Sequence, residues 1–140
     1  MDLTSLWRLQ LVQNSAASCL QTGKRKCGHV TPLLASLHWL PVRFRINFKI
    51  LLPVFKVLNG LAPLYLAELL HHHSPARALR STNQMLLDVL RSRHRNRKGR
   101  AIAVAAPNLW KSLPIHIWTA QTLATFKLKT HDLLLNCAAR

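Results

Sequence analysis

The sequence of 140 residues contains 20 Lys and Arg against 4 Asp and Glu, which gives a formal net charge of +16. Hydrophobic residues make up 49% of the chain, a proportion typical of a globular domain, so a disordered basic tail is excluded. The four acidic residues lie far apart in sequence, which argues against two-metal phosphoryl transfer, glycoside hydrolysis and aspartic-protease chemistry, because each needs convergent carboxylates.

Four helices are predicted in the first half of the chain. Residues 5–20 carry apolar side chains at steps of three and four, a spacing typical of a helix with one apolar face. Thr31 is placed to cap a second, short helix, and Pro32 fits the first turn of that helix, where a missing N–H has no cost. Residues 62–70 predict a short fourth helix.

The third predicted helix, residues 41–59, has the clearest segregation of apolar and basic side chains. Its buried face is expected to consist of residues that step by four and three, namely Phe44, Phe48, Leu51, Phe55 and Leu58. Arg45, Lys49 and Lys56 lie on another side of this helix. Pro53 is expected to kink or split the helix, and Gly60 to end it in the left-handed conformation.

Alternating apolar residues in the second half predict a small β-hairpin between residues 85 and 106. The two strands are marked by Met85, Leu87 and Val89, and by Ile102, Val104 and Ala106. A basic loop at residues 91–100 joins them, and a helical turn is the alternative for the first strand. The fold class is therefore mainly α: a small multi-helix unit spanning residues 1–140, with one short β-hairpin.

The hairpin is followed by a turn and a last helix. Pro107 is expected to begin a turn that carries Trp110, and Thr122 to cap a helix that frays by Asn136. Trp39 and Trp110 each lie beside a Leu and upstream of a Pro, and we expect both to pack in the core rather than to stack on bases.

The basic residues predict a nucleic-acid partner. Clustered cations bind phosphate backbones with release of counterions, and the resulting affinity falls steeply with salt. A solvated surface without a partner is the alternative; a membrane surface is disfavoured because the basic residues are not concentrated on a helix with a strong opposite apolar face. The residues predicted to contact RNA or DNA phosphate are Lys24, Arg25, Lys26, Arg45, Lys49, Lys56, Arg91, Arg93, Arg95, Arg97, Lys98 and Arg100.

Other ligands and locations are disfavoured. The three cysteines are an odd number without a repeated spacing, which indicates a reducing compartment rather than a disulfide framework. There is no closely spaced pair of metal ligands, glycine-rich loop or nucleophile motif, so we expect no metal, no cofactor and no small-molecule substrate. The longest stretch without a formal charge, residues 27–42, is too short to span a bilayer, and no secretory signal is visible. We therefore expect an intracellular protein, in the nucleus or cytoplasm, that is not secreted and does not bind a membrane.

Several segments follow one another in an order that resembles a known family. They read RLQLVQNSAA at residues 8–17, HVTPLLASLHWLPVRFRI at 29–46, FKILL at 48–52, LNGLAP at 58–63, AAPNLWKSLP at 105–114 and TLATFK at 122–127. Over about residues 8–131 the chain resembles the C-terminal region of reverse transcriptases from non-LTR (LINE-type, jockey-like) retrotransposons.

The resemblance implies part of an RNA-directed DNA polymerase that has no activity by itself. In such elements the catalytic palm and its paired aspartates lie upstream of this region, and this sequence has no adjacent acidic pair. The implied role is an accessory segment that contacts template RNA or target DNA. Two alternatives stay open. The first is a structural module that packs on the polymerase domain through its Phe44, Phe48 and Phe55 face and its Leu-rich fourth helix. The second is a decayed transposable-element relic without activity, to which departures such as Pro53 and Leu90 point.

Overall fold

The structure is a computed structural model that describes residues 3–20, 29–70, 87–88 and 102–139. Over these ranges the protein is mainly helical, as predicted. The described helices are α1 (Leu3–Leu20), α2 (Val30–Ser36), α3 (Val42–Leu58), α4 (Leu64–Ala67), α5 (Ile102–Lys111), α6 (Ile115–Trp118) and α7 (Leu123–Ala139). Two compact units are formed: unit 1 contains the described residues up to 48 and from 128 onward, and unit 2 contains those from 49 to 127.

The described residues do not contain the predicted β-hairpin, and the prediction of its second strand is wrong. Ile102, Val104 and Ala106 lie in the first turns of α5, and the described residues contain no strand. Alternation over five residues fits a helix equally well when the intervening residues are Ala, which has the highest helix propensity. Of the first predicted strand only residues 87–88 are described, and the basic loop at residues 91–100 lies outside the described residues.

Pro107 also differs from its prediction, because it lies inside α5 rather than at the start of a turn. Pro107 and Trp110 are both buried on the same side of this helix. The burial of this face, which depends on residues distant in sequence, decides the structure of a segment whose local pattern is ambiguous.

The ends of α2 and α7 confirm some of the predicted caps and correct others. α2 begins one residue before Thr31, with His29 as its N-cap, so Thr31 is not the cap, although Pro32 does lie in the first turn. Thr122 caps α7 as predicted, since its Oγ1 accepts a hydrogen bond of 3.1 Å from the N–H of Thr125. α7 does not fray at Asn136 but continues to Ala139.

α3 runs through Pro53 without being split. It ends at Gly60 as predicted, with φ +68° at this glycine. The N–H of Gly60 donates to the carbonyl of Val57 (3.1 Å), and the N–H of Leu61 donates to the carbonyl of Lys56 (2.7 Å). These two bonds form a Schellman motif, which satisfies carbonyl groups that the helix itself leaves unpaired.

The core of unit 2 is aromatic. Phe55 of α3 stacks on Phe126 of α7 with ring centroids 4.2 Å apart, and Trp110 lies 5.9 Å from the same Phe126 ring. Trp118 stacks parallel to Trp110 at 6.4 Å and donates its indole N–H to the Trp110 carbonyl (3.0 Å). Trp110 and Phe126 are fully buried, which confirms the prediction that Trp110 is a core residue.

The core of unit 1 is smaller. α1 packs against α2, and the buried apolar residues of the unit are Ala17, Leu34, Leu40 and Leu134. Ala17 is the one buried residue of α1, whereas the residues that gave this helix its predicted apolar periodicity, such as Leu9 and Leu20, are exposed. α1 therefore presents an apolar stripe outward.

Candidate functional site

The predicted nucleic-acid contacts that the structure describes all belong to α3. Arg45 and Lys49 are exposed and Lys56 is half-buried. Spacings of four and eleven residues place them within about 40° of one another around a helix of 3.6 residues per turn. None of the three forms an ion pair with another described residue. The structure thus presents unneutralised cations on one side of this helix.

The other predicted contacts lie outside the described residues, namely Lys24, Arg25, Lys26, Arg91, Arg93, Arg95, Arg97, Lys98 and Arg100. The described ranges nevertheless keep an excess of basic over acidic residues. They hold 8 of the 20 Lys and Arg and 3 of the 4 Asp and Glu. The described residues alone therefore give each unit a net positive charge.

The described residues of unit 1 form a groove. Its volume is about 660 Å³, within the range of ligand-binding cavities. α1, α3, α7 and the segment between α2 and α3 contribute to it, and we call it the α1–α3 groove. Its apolar lining is Leu9, Val12, Ala16, Trp39, Leu40, Val42 and Phe48, and its polar lining is Gln13, His38, Arg45 and His131.

Two glutamines of α1 fix the walls of the groove. The Nε2 of Gln13 donates to the carbonyl of Leu40 (2.8 Å), and the N–H of Val42 donates to the Oε1 of Gln10 (2.9 Å). Val42 is the first residue of α3, so Gln10 satisfies an N–H that has no partner within its own helix. Gln10 also donates to the side chains of Gln13 (3.2 Å) and Asn14 (2.8 Å). This amide network explains why polar residues interrupt the apolar pattern of α1.

His131 closes the other side of the groove. Its Nε2 lies 3.1 Å from the carbonyl oxygen of His38, and its ring meets Phe48 edge to face, with centroids 6.2 Å apart. Asp132 approaches the Nδ1 of His131 at 3.8 Å. The contact between His131 and His38 joins residues that are 93 positions apart, and the sequence carries no periodic signal for it.

Of the residues that line this groove, Arg45 is among the predicted phosphate contacts and Phe48 belongs to the predicted packing face of the structural module; the sequence did not identify the others as functional candidates. Gln10 and Gln13 are the one signal in the sequence, because two amides three residues apart need hydrogen-bond partners when they are removed from solvent. Trp39, predicted as a core residue, is half-buried and lines the groove.

The described residues contain no group of three His, Cys, Asp or Glu side chains that could hold a metal ion. Cys19 and Cys137 are exposed free thiols. Among the helices that the structure describes, none combines the length and apolar character needed to cross a membrane.

Comparison with known proteins finds no matching family model, no matching curated protein and no matching solved structure. The described part of the chain is therefore classified by its own features: it is mainly helical, it carries exposed basic residues on α3, and its unit 1 contains an apolar groove.

Proposed function

We propose that this chain is an accessory nucleic-acid-binding segment of a LINE-type retrotransposon reverse transcriptase, without the catalytic palm. The observation that carries the proposal is the charge: 20 basic residues against 4 acidic ones on a chain with a globular proportion of apolar residues. The resemblance of residues 8–131 to the C-terminal region of such polymerases supports the origin.

Phosphate contacts are the chemistry that this charge favours. Arg45 and Lys49 are exposed, and neither is neutralised by a described carboxylate, so their charges are available to a polyanion. Cations of this kind displace condensed counterions from RNA or DNA, which makes affinity fall with salt without giving base specificity. Positioning of template RNA or target DNA beside a polymerase needs no more than this.

The salt dependence of binding tests the proposal. We expect the full chain to bind single-stranded RNA and duplex DNA with log Kd linear in log salt, measured by fluorescence anisotropy with labelled oligonucleotides. Replacement of both Arg45 and Lys49 by Gln should reduce the slope by about 0.7 to 0.9 for each phosphate that is no longer neutralised. A matched variant, Lys111→Gln with Lys127→Gln, removes the same charge from exposed positions outside the predicted set and should change the slope less.

A second variant in the same experiment tests the basic loop at residues 91–100. Simultaneous replacement by Gln of Arg91, Arg93, Arg95, Arg97, Lys98 and Arg100 should weaken binding and flatten its salt dependence further. An unchanged slope would exclude the loop from the interface.

A structural module that packs on an upstream polymerase domain is the second candidate. Exposed apolar residues favour it: Trp7 in α1 is 65% exposed, and Leu64 and Tyr65 in α4 are 76% and 64% exposed. Phe55 is already buried in unit 2, so these residues, rather than the whole predicted phenylalanine face, would carry the contact. Co-expression with the polymerase domain should then raise the thermal midpoint of this chain. If the chain is a decayed relic instead, it should show no cooperative unfolding transition.

A further inference from the structure

We propose that the α1–α3 groove binds an amphipathic helix of a partner protein, and that this helix places a carboxylate against Arg45. Arg45 is also a proposed phosphate contact, but this inference rests on other observations, namely the apolar stripe of α1 and the hydrogen bonds that engage the other polar groups of the groove.

The apolar stripe runs along α1 for three turns. Leu9, Val12, Ala16 and Leu20 follow one another at steps of three and four, which keeps them within an arc of about 80°. All four are exposed; Val12 is 68% and Leu20 is 61% accessible to solvent. The first three line the groove, and Leu20 extends the stripe beyond it to a length of about 16 Å.

The length of this stripe decides the shape of the occupant. A compact molecule would fill the cavity and leave the end of the stripe in water, whereas a helix with apolar residues at matching steps covers all of it. Half-buried Trp39 and buried Leu40 form apolar surface beside the stripe. The groove therefore has the features of a helix-binding surface.

The polar lining decides the charge of the occupant. Gln13 is engaged with Leu40 and Gln10, and His131 with the carbonyl of His38. Arg45 is the described lining residue with a permanent charge; it is exposed and has no ion pair with a described residue. No carboxylate is among the lining residues. The complementary group is an acidic side chain at the edge of an apolar helix face.

This charge also argues against a second copy of the chain as the occupant. Each chain carries +16, so two copies repel one another, whereas an acidic partner is attracted.

A designed peptide tests the inference. The probe is a labelled amphipathic helix about four turns long, with Leu on one face and one Glu beside that face. Its controls are the same peptide with Glu→Gln and a scrambled peptide of the same charge. We expect the wild-type chain to bind the Glu peptide about threefold more tightly than the Gln peptide, as exposed ion pairs allow. Arg45→Gln should abolish this preference.

Arg43 provides the matched charge control. It is exposed on α3, two residues before Arg45, and it does not line the groove. Arg43→Gln removes the same charge and should leave the preference for the Glu peptide intact. If both variants lost the preference for the Glu peptide equally, the preference would reflect general attraction to a basic chain, and the proposal would be overturned.

The apolar contact has a matched pair on α1. Val12→Ser should weaken binding of both peptides about fivefold, because it removes apolar area at the centre of the stripe. Leu11→Ser changes an exposed residue that lies about 100° around the helix from Val12 and does not line the groove, so it should leave binding unchanged. Both positions are exposed, so circular dichroism should show the wild-type helix content.

Two results would contradict the inference at this site. The first is equally tight binding of the scrambled peptide. The second is dimerisation of the wild-type chain that increases with concentration in sedimentation. If Val12→Ser removed this dimerisation and left peptide binding unchanged, the groove would bind a second copy of the chain.

Discussion

Two helices of this protein end in the same backbone geometry with different residues at the left-handed position. Gly60 follows α3 with φ +68°, and His38 follows α2 with φ +53°. The N–H of His38 donates to the carbonyl of Ala35 (3.0 Å), and the N–H of Trp39 donates to the carbonyl of Leu34 (2.8 Å), which repeats the Schellman pattern. Gly60 was predictable because glycine adopts this conformation without cost, whereas nothing in the sequence marks His38.

Opposite substitutions at these two positions should have opposite effects on stability. Gly60→Ala should lower the free energy of unfolding by about 1 kcal/mol; an added Cβ meets no atom within 4 Å, so backbone conformation is the whole cost. His38→Gly should raise it by about 0.5 kcal/mol, because relief of the same strain exceeds the entropy that glycine adds to the unfolded chain. Urea denaturation measures both changes, and the slope of the unfolding free energy against urea concentration should stay the same. A loss of stability in His38→Gly would show that its side chain contributes more than its backbone costs.

At the level of elements, the predictable parts are those whose signal is local. The apolar periodicity of α3 and the cap of α7 at Thr122 needed no tertiary information. α5 was missed because five residues of alternating Ala fit both periods, and the packing of Trp110 in the core decides between them. The groove was missed for a stronger reason: the bond from Val42 to Gln10 spans 32 residues, and periodicity along one helix does not identify its partner.

The N-cap of α7 gives a prediction for this element. Thr122→Ala should lower the free energy of unfolding by about 1 kcal/mol, because the N–H of Thr125 loses its acceptor. Thr119→Ala is the control. Thr119 is exposed and follows the end of α6, and its hydroxyl bonds only to the carbonyl of Ile115 (3.3 Å). Its effect should stay within about 0.5 kcal/mol. Chemical denaturation followed by circular dichroism compares the two; equal losses would mean that the cap adds nothing specific.

For the molecule as a whole, we expect the net charge to affect stability as well as the proposed nucleic-acid binding. A chain with +16 repels itself, and salt screens that repulsion over about 10 Å at 0.1 M. We expect the thermal midpoint of the free protein to rise between about 0.01 and 0.15 M salt, while its affinity for nucleic acid falls over the same range. Differential scanning fluorimetry across a salt series measures the first effect. A midpoint that falls with salt would show that favourable ion pairs outweigh the repulsion.

Unit 1 combines segments from opposite parts of the sequence, because His131 in α7 contacts His38 and Phe48. During synthesis on the ribosome, α1 is made more than 100 residues before His131, whose contacts complete this unit. At about 5 to 20 residues per second, this interval lasts about 5 to 20 seconds. Until then α1 and α2 lack the partner that closes their unit. The N-terminal helix is therefore made first and reaches its final surroundings last.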